Sequence, residues 1–405
     1  MLTGGVAIAR LAHFYPLVLA ALLVGCGDDG GSDPVAAVPG SAPTPSPTPA
    51  PSPTPTATPS PSPATTAVTQ KVVASFDNPW AMVFLPDGRL LVTEKSGHLQ
   101  LATQAGAKTE VTGVPAVTFS GQLGLQDVAL DPGYTTNNRV WLTYAEPAIG
   151  GQRLAVARAT LSLTGTPRLE GVTVIWRATP TTTGGQLGAR LAFSPDSKFL
   201  FVSSGERQRE TPAQDLGGTL GKIVRINLDG TAAAGNPFAS TAGARAEIWT
   251  LGNRNSYGLV FASDGRLFES EMGPSGGDEF NLIEPGKNYG WPNVSEGDNY
   301  DGTPIPRHST SAAYTRPLLS WTPVIAPGGM IQYRGMRFSG WTGDFILAGL
   351  VQQGIVRVRV SGNIATEAAR ISLGTRIREV EEAPDGSIWV LSDGSQGRLI
   401  QLLPG

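Results

Sequence analysis

The chain is almost without cysteine. Cys26 is the only one in 405 residues, so no intrachain disulfide can form, and stability has to come from a packed core and any bound metal. Histidine is nearly as scarce, with only His13, His98 and His308. Charge of one sign is also lacking: 30 Lys and Arg stand against 33 Asp and Glu, a formal net charge of -3, with no basic stripe. That balance excludes a nucleic-acid groove and leaves small molecules and the cell envelope as partners. No stretch of period 3.6 is long enough to build a helical domain.

What is present begins at the N-terminus. Arg10, an apolar run from Phe14 to Val24 and the tetrad Leu23-Val24-Gly25-Cys26 read as a lipoprotein signal peptide and lipobox over residues 1–26. The run is shorter than the roughly 20 residues of a membrane span. The expectation is an exported bacterial lipoprotein, held at the periplasmic face or cell surface only through lipid on Cys26. Residues 27–70 form a disordered linker, in which Pro alternates with Ser, Thr or Ala from Asp33 to Pro63. Such a segment favours polyproline II at ~3.1 Å per residue and acts as a tether.

Residues 71–405 exceed one ordinary core yet contain no second linker, which suits a closed repeat architecture. Pro86-Asp87-Gly88, Asp131-Pro132-Gly133, Ser194-Pro195-Asp196, Ser263-Asp264-Gly265 and Ala383-Pro384-Asp385-Gly386 each precede a β-branched or aromatic run, and Trp341-Thr342-Gly343-Asp344 fits a sixth hairpin. Six such units predict an all-β, six-bladed propeller. A pair of β-sandwiches is the competing architecture, but it does not demand the same turn at this period. In a propeller the loops of one face converge, so Arg254 and Arg376 can meet although far apart in sequence.

The densest chemistry lies between Leu251 and Pro292. It holds Gly252-Asn253-Arg254-Asn255, Glu271-Met272-Gly273-Pro274, Gly277-Asp278-Glu279-Phe280-Asn281 and Asn288-Tyr289-Gly290-Trp291-Pro292. With Gly121-Gln122-Leu123-Gly124, Leu220-Gly221-Lys222-Ile223 and Ile325-Ala326-Pro327-Gly328-Gly329-Met330, this stretch resembles the aldose sugar dehydrogenase and glucose/sorbosone dehydrogenase family from Pro79 to Pro404. The cofactor of that family is pyrroloquinoline quinone (PQQ), a tricarboxylate whose recognition suits forked guanidinium groups. The resemblance implies that Arg254, Asn255, Arg376, Arg378, Gln122 and Arg334 contact PQQ. It implies calcium on the main-chain oxygens of Gly273 and Pro274, and a second calcium on Asp278, Glu279 and a main-chain oxygen near Tyr289. Oxidation of aldoses to lactones, with an electron acceptor that the sequence does not name, is the implied activity.

One position departs from the pattern. Where the family carries its catalytic histidine, this chain reads Gly185-Gln186-Leu187-Gly188-Ala189-Arg190-Leu191. Gln186 and Arg254 therefore stand at the reacting centre, but an amide has no useful basicity and turnover is expected to be slow or altered. Glu206 similarly replaces the family's aspartate. His308 and Asp215 are candidates for a relocated base, while His98 suits a surface role. Two alternatives follow: a PQQ- or sugar-binding propeller lipoprotein without turnover, and a calcium-dependent sugar lactonase.

Overall fold

The computed structural model describes residues 67–405; the expected signal peptide, Cys26 and almost all of the linker lie outside the described residues. Six four-stranded antiparallel sheets follow one another along the chain. Blade 1 runs Pro79–Phe84, Leu90–Glu94, His98–Ala102 and Lys108–Val111, and blade 2 Leu125–Leu130, Arg139–Ala148, Gly151–Ser162 and Arg168–Arg177. Blade 3 has Gly188–Phe193, Phe199–Ser204, Lys222–Asn227 and Ile248–Leu251; blade 4 has Ser256–Phe261, Leu267–Glu271, Asp278–Ile283 and Leu319–Trp321. Blade 5 has Pro327–Gln332, Phe345–Gly349, Gly354–Ser361 and Ile364–Ser372. Blade 6 takes Ile377–Glu382, Ile388–Ser392 and Gly397–Pro404, and borrows its outermost strand, Val68–Phe76, from the start of the described chain. That strand begins inside the stretch expected to be linker. Among the described residues, helix is confined to Tyr134–Asn137 and two short 3-10 turns, Thr211–Gln214 and His308–Thr310.

The first-named strand of each blade touches that of both neighbours, so the six innermost strands close a ring around the axis. Each blade is covered on both faces. Its central strands therefore read as continuous apolar runs, as in Leu90-Leu91-Val92, all fully buried, instead of alternating apolar and polar. All six repeated turns join an innermost strand to the second strand of its blade. The aspartate has a specific task there. Asp87, Asp264 and Asp385 accept the main-chain N–H two residues on, at 3.0, 3.1 and 2.9 Å. The glycine that follows takes a positive φ, 83° at Gly88 and 86° at Gly265, which is why Asp-Gly recurs.

Every innermost strand carries one extra residue relative to its partner near its N-terminal end, a bulge seen between Pro79 and Met82, Leu125 and Val128, Gly188 and Leu191, Ser256 and Gly258, Pro327 and Met330, and Ile377 and Glu379. A hydroxyl on the second strand stitches these bulges together. Thr93 accepts Ala81 N–H and donates to Gln126 O in the next blade, Thr143 accepts Asp127 N–H and donates to Ala189 O, and Ser203 accepts Arg190 N–H and donates to Ser256 O. At the same level buried Arg190 ties its own blade to three others, pairing with Asp127 at 3.1 Å and Glu379 at 2.6 Å and lying 4.2 Å from the Trp80 ring. The bulges thus fix where the residues just before them emerge. Those residues form the mouth of the channel.

Candidate functional site

The site is assembled from loops at one end of the axis. Arg254 and Asn255 directly precede the innermost strand of blade 4 and Arg376 that of blade 6, while Gln186 and Gln122 lie just upstream of the innermost strands of blades 3 and 2. Gln122 Oε1 accepts Gln186 N–H at 2.6 Å, and Asn255 Oδ1 accepts Gly188 N–H at 3.2 Å, joining three blades side by side. Arg376 and Arg378 share Asp393, at 3.2 and 2.9 Å, and Arg378 lies 5.6 Å from the Tyr257 ring, three residues after Arg254. Burial pushes the Asp393 carboxyl up, but the two arginines outweigh it and hold it below the usual carboxylate range.

Lys95, at the end of blade 1's second strand, closes the gap between blades 6 and 2. Its ammonium donates to Gly121 O at 3.2 Å, and burial, followed by the charge of Arg378, holds it below the usual lysine range. The sequence reading passed over Lys95. Its signal was positional, because the end of a second strand also supplies Glu206 and the Glu271–Pro274 stretch. A cationic arc therefore runs from Arg376 and Arg378 through Lys95 to Gln122, Gln186 and Arg254.

Arg254 is held from several sides. Nη1 donates to Met272 O at 3.0 Å and Gly273 O at 2.9 Å, Nη2 donates to the Tyr300 hydroxyl at 3.2 Å, and the guanidinium stands 4.9 Å from the Trp291 ring. The Gln186 amide, oriented by its surroundings, donates to Glu206 Oε1 and accepts from Arg254 Nη2 at 3.0 Å. Arg254 Nε and the Trp291 indole N–H are buried without a partner. Unpaired buried donors call for an acceptor. A guanidinium with a free Nε, together with the arc of Lys95, Arg376 and Arg378, fits the carboxylates of PQQ.

Glu206 is almost fully buried and organises the loop behind Gln186. It accepts the N–H groups of Gln208, Arg209 and Glu210 at 3.0, 2.5 and 2.5 Å, in a loop where Arg207, Gln208 and Glu210 all take positive φ. Gln186 itself has a φ of 50°. Backbone strain of this kind collects at functional sites and persists only where the surroundings over-determine it.

Beneath Arg254 lies an excess of buried acid. Glu269, Glu271, Asp278 and Glu279 are all buried. Burial pushes the Glu271 carboxyl up to about 7 against the main-chain N–H groups of Arg254 and Asn255, and Asp278 up to about 6. Glu269 and Glu279 are driven well above their usual range by burial and then by the charge of Glu271. A cavity of about 10 Å³, room for one water-sized sphere, is lined by Glu271, Met272, Gly273, Glu279 and Tyr289 among others. A Cβ on Gly273 would come within 2.3 Å of Gly276 O, so only glycine leaves this cradle open. Four buried carboxyls stand here against the single guanidinium of Arg254, which also lines the cavity, and that excess of crowded oxygen suits a hard cation such as calcium.

Three expectations need correction. Asp278 and Glu279 do not converge: neighbours on a strand point to opposite faces, and Asp278 is spent on the N–H groups of Gly273, Ile325 and Ala326 at 2.9, 2.7 and 2.6 Å. Accordingly, among the described residues no three His, Cys, Asp or Glu side chains form a ready metal cluster, and Glu279 lies opposite Glu271 on the paired strand and accepts from Asn281 Nδ2 at 3.2 Å. Arg334 is not brought to the site. It donates to Phe261 O, at the far end of the blade 4 innermost strand, and so lies at the opposite mouth of the channel. His308 is fully buried and no relocated base: Nε2 meets Tyr289 O at 2.9 Å and Nδ1 meets Glu296 at 3.1 Å, so the main-chain oxygen expected to hold calcium already serves an imidazole. Asp215 is exposed and caps Gly217, and His98 pairs with Glu110 on outer strands of blade 1.

Fold and site together define a six-bladed propeller with a cationic arc beside a buried acidic cradle at one mouth of its axis. The family described as Glucose / Sorbosone dehydrogenase matches residues 76–401, and the chain belongs to that family. It is 37% identical to the aldose sugar dehydrogenase of Escherichia coli over 81% of its own length and 90% of the relative's. It is 27% identical to quinoprotein glucose dehydrogenase B of Acinetobacter calcoaceticus, over 80% and 84% of the two chains. Among solved structures, the apo soluble aldose sugar dehydrogenase of Escherichia coli superposes with a TM-score of 0.80 at 35% identity over 84% of this chain and all of that one. The PQQ-bound aldose sugar dehydrogenase of Streptomyces coelicolor gives 0.70 at 27%, over 84% and 98%.

Proposed function

We propose that this chain binds PQQ and calcium and oxidises aldoses to lactones slowly, because Gln186 cannot act as a base. The observation that carries the reading is the cationic arc of Lys95, Arg376, Arg378 and Arg254, in which Arg254 keeps a buried, unpartnered Nε. When bound, PQQ would supply the hydride acceptor and calcium would supply positive charge. The chain's own residues then divide the remaining work. Arg254, Arg376, Arg378 and Lys95 would bind carboxylates, Trp291 offers a flat face beside Arg254, and Glu271 and Glu279 are the side chains that would hold the ion, while the Met272 and Gly273 oxygens accept from Arg254 Nη1.

No side chain seen at this centre is free to take the anomeric proton. Gln186 is an amide committed at both ends, Glu206 is saturated by N–H groups, and His308 is buried elsewhere. That same observation supports a second reading, a PQQ-binding propeller without turnover. A lactonase has no use for the arc of guanidinium groups.

Reconstitution separates the two. Purified protein with calcium and PQQ should acquire quinone absorbance in 1:1 stoichiometry and reduce an artificial dye when given an aldose. Absorbance without dye reduction supports binding alone, and no spectral change at saturating PQQ removes both. Export on a lipid-modified Cys26 belongs to the same proposal, supported by the Leu23-Val24-Gly25-Cys26 tetrad. A Cys26→Ser protein that stays with the membrane fraction would count against it.

A further inference from the structure

We infer that Tyr300 is the platform on which the sugar ring rests, a specificity-determining residue at the mouth of the site. The inference builds on the reading that this site takes an aldose, and names the side chain that selects it.

Three observations single out Tyr300 from the other exposed apolar groups. Tyr300 is 77% exposed, a large share for an aromatic residue. Scattered exposed aromatics are ordinary on a protein surface. This one, however, gives its only hydrogen bond to the site: the hydroxyl accepts from Arg254 Nη2 at 3.2 Å, and the ring centroid lies 5.9 Å from the guanidinium. Arg254 Nη2 is also the nitrogen that meets the Gln186 carbonyl at 3.0 Å. Two acceptors sharing one nitrogen cannot be further apart than the two bonds laid end to end. The Tyr300 hydroxyl therefore stands within a sugar's width of the position where the family keeps its catalytic histidine.

The ring is also presented rigidly. Tyr300 sits in a tight turn in which Asn299 N–H donates to Thr303 O at 3.0 Å and Gly302 N–H to Asn299 O at 2.9 Å. Thr303 fixes Asp301 through its N–H at 2.9 Å and its hydroxyl at 2.7 Å. Just before it, Gly297–Asp298 pairs with Ser275–Gly276, the continuation of the Gly273–Pro274 stretch. With its backbone held by this turn and its hydroxyl tied to Arg254, the ring has less freedom to lose on contact than an untethered exposed aromatic.

The chemistry that such a ring recognises follows from its two parts. The hydroxyl is engaged with Arg254, which leaves the π face to the ligand. A pyranose offers a flat patch of C–H groups on one face and hydroxyls at its rim, and a planar apolar ring covers that patch while the rim stays with polar groups. Pyranoses with equatorial substituents present the flattest patch, so Tyr300 favours gluco-configured aldoses over those with an axial hydroxyl on the stacked face.

The test is titration of glucose into wild-type, Tyr300→Phe and Tyr300→Ala proteins loaded with PQQ and calcium, with PQQ affinity measured separately for each. Loss of the ring should weaken glucose binding roughly fivefold to tenfold, the size of one aromatic contact, while Phe stays within about twofold and PQQ affinity stays within about threefold in all three. Equal weakening in Phe and Ala assigns the effect to the hydroxyl and overturns the platform, as does an unchanged glucose affinity in Ala or a wild type that binds no glucose. If the wild type takes up no PQQ, the proposed function fails on its own. The same titration on unloaded protein then decides Tyr300, with a selective loss in Ala supporting the platform and three equal affinities overturning it.

Discussion

Gln186 shows how much one side chain can decide. An imidazole and a primary amide both offer one donor and one acceptor across a similar span, so Gln186 keeps the contacts to Glu206 and Arg254 that a neutral histidine can make. What it gives up is basicity. Gln186→His is therefore expected to fold, bind PQQ as before and raise turnover by roughly 10²-fold or more, the usual worth of a general base. Steady-state dye reduction with each protein checks this. An equal rate would mean that proton removal is not limiting or that Gln186 is not at the reacting centre. Glu206 is one methylene longer than the family's aspartate and is locked by three N–H groups, so the histidine variant combined with Glu206→Asp tests whether the two departures compensate one another.

At the scale of elements, the blade 4 strands Leu267–Glu271 and Asp278–Ile283 concentrate the buried acids. Glu271 is raised to about 7 and Asp278 to about 6, against ordinary values of 4.5 and 3.8. A carboxyl raised by folding contributes stability in full below its ordinary value and loses it as pH rises through the folded one. Without calcium, the protein should therefore become less stable between about pH 4.5 and 7.5. With calcium, the ion competes with the protons, so its apparent affinity should climb over the same interval and offset the loss. Melting curves at several pH values, with and without chelator, test both statements. A chelator that leaves the melting temperature unchanged at pH 7.5 would count against any cation in this cradle.

On the scale of the whole molecule, the ring is closed by one strand. Val68–Phe76 pairs with Gly397–Pro404 from Val68 opposite Pro404 to Phe76 opposite Gly397, so the beginning and end of the described chain are laced into a single blade. Removing residues 67–76 would leave Gly397–Pro404 as a bare edge with Leu399, Ile400 and Leu402 beside it. The expected result is a fall in melting temperature of roughly 5 °C or more, with association of the truncated chains, since each kcal/mol lost shifts a domain of this size by about 2 °C or a little more. Calorimetry and light scattering read the two effects. A truncated chain that melts unchanged and stays monomeric would show that the closure is dispensable.

The sequence by itself determined the class of fold, because aspartate-bearing turns, three of them Asp-Gly, before β-branched or aromatic runs are local chemistry and recur six times whatever lies around them. It also determined which residue types the site has, and that Gln186 replaces a base. Only the tertiary structure decided which of those residues meet. Arg334 shares its residue type with Arg378 yet emerges at the other end of the axis, and Asp278 turns away from Glu279 because a strand alternates its faces. Lys95 joins the arc although nothing beside it in the chain announces a site, and His308 is enclosed although its loop looked open. The physical reason is common to all four: a blade fixes direction and depth through pairings between residues far apart in the chain, and charge acquires its meaning only from the neighbours that those pairings bring.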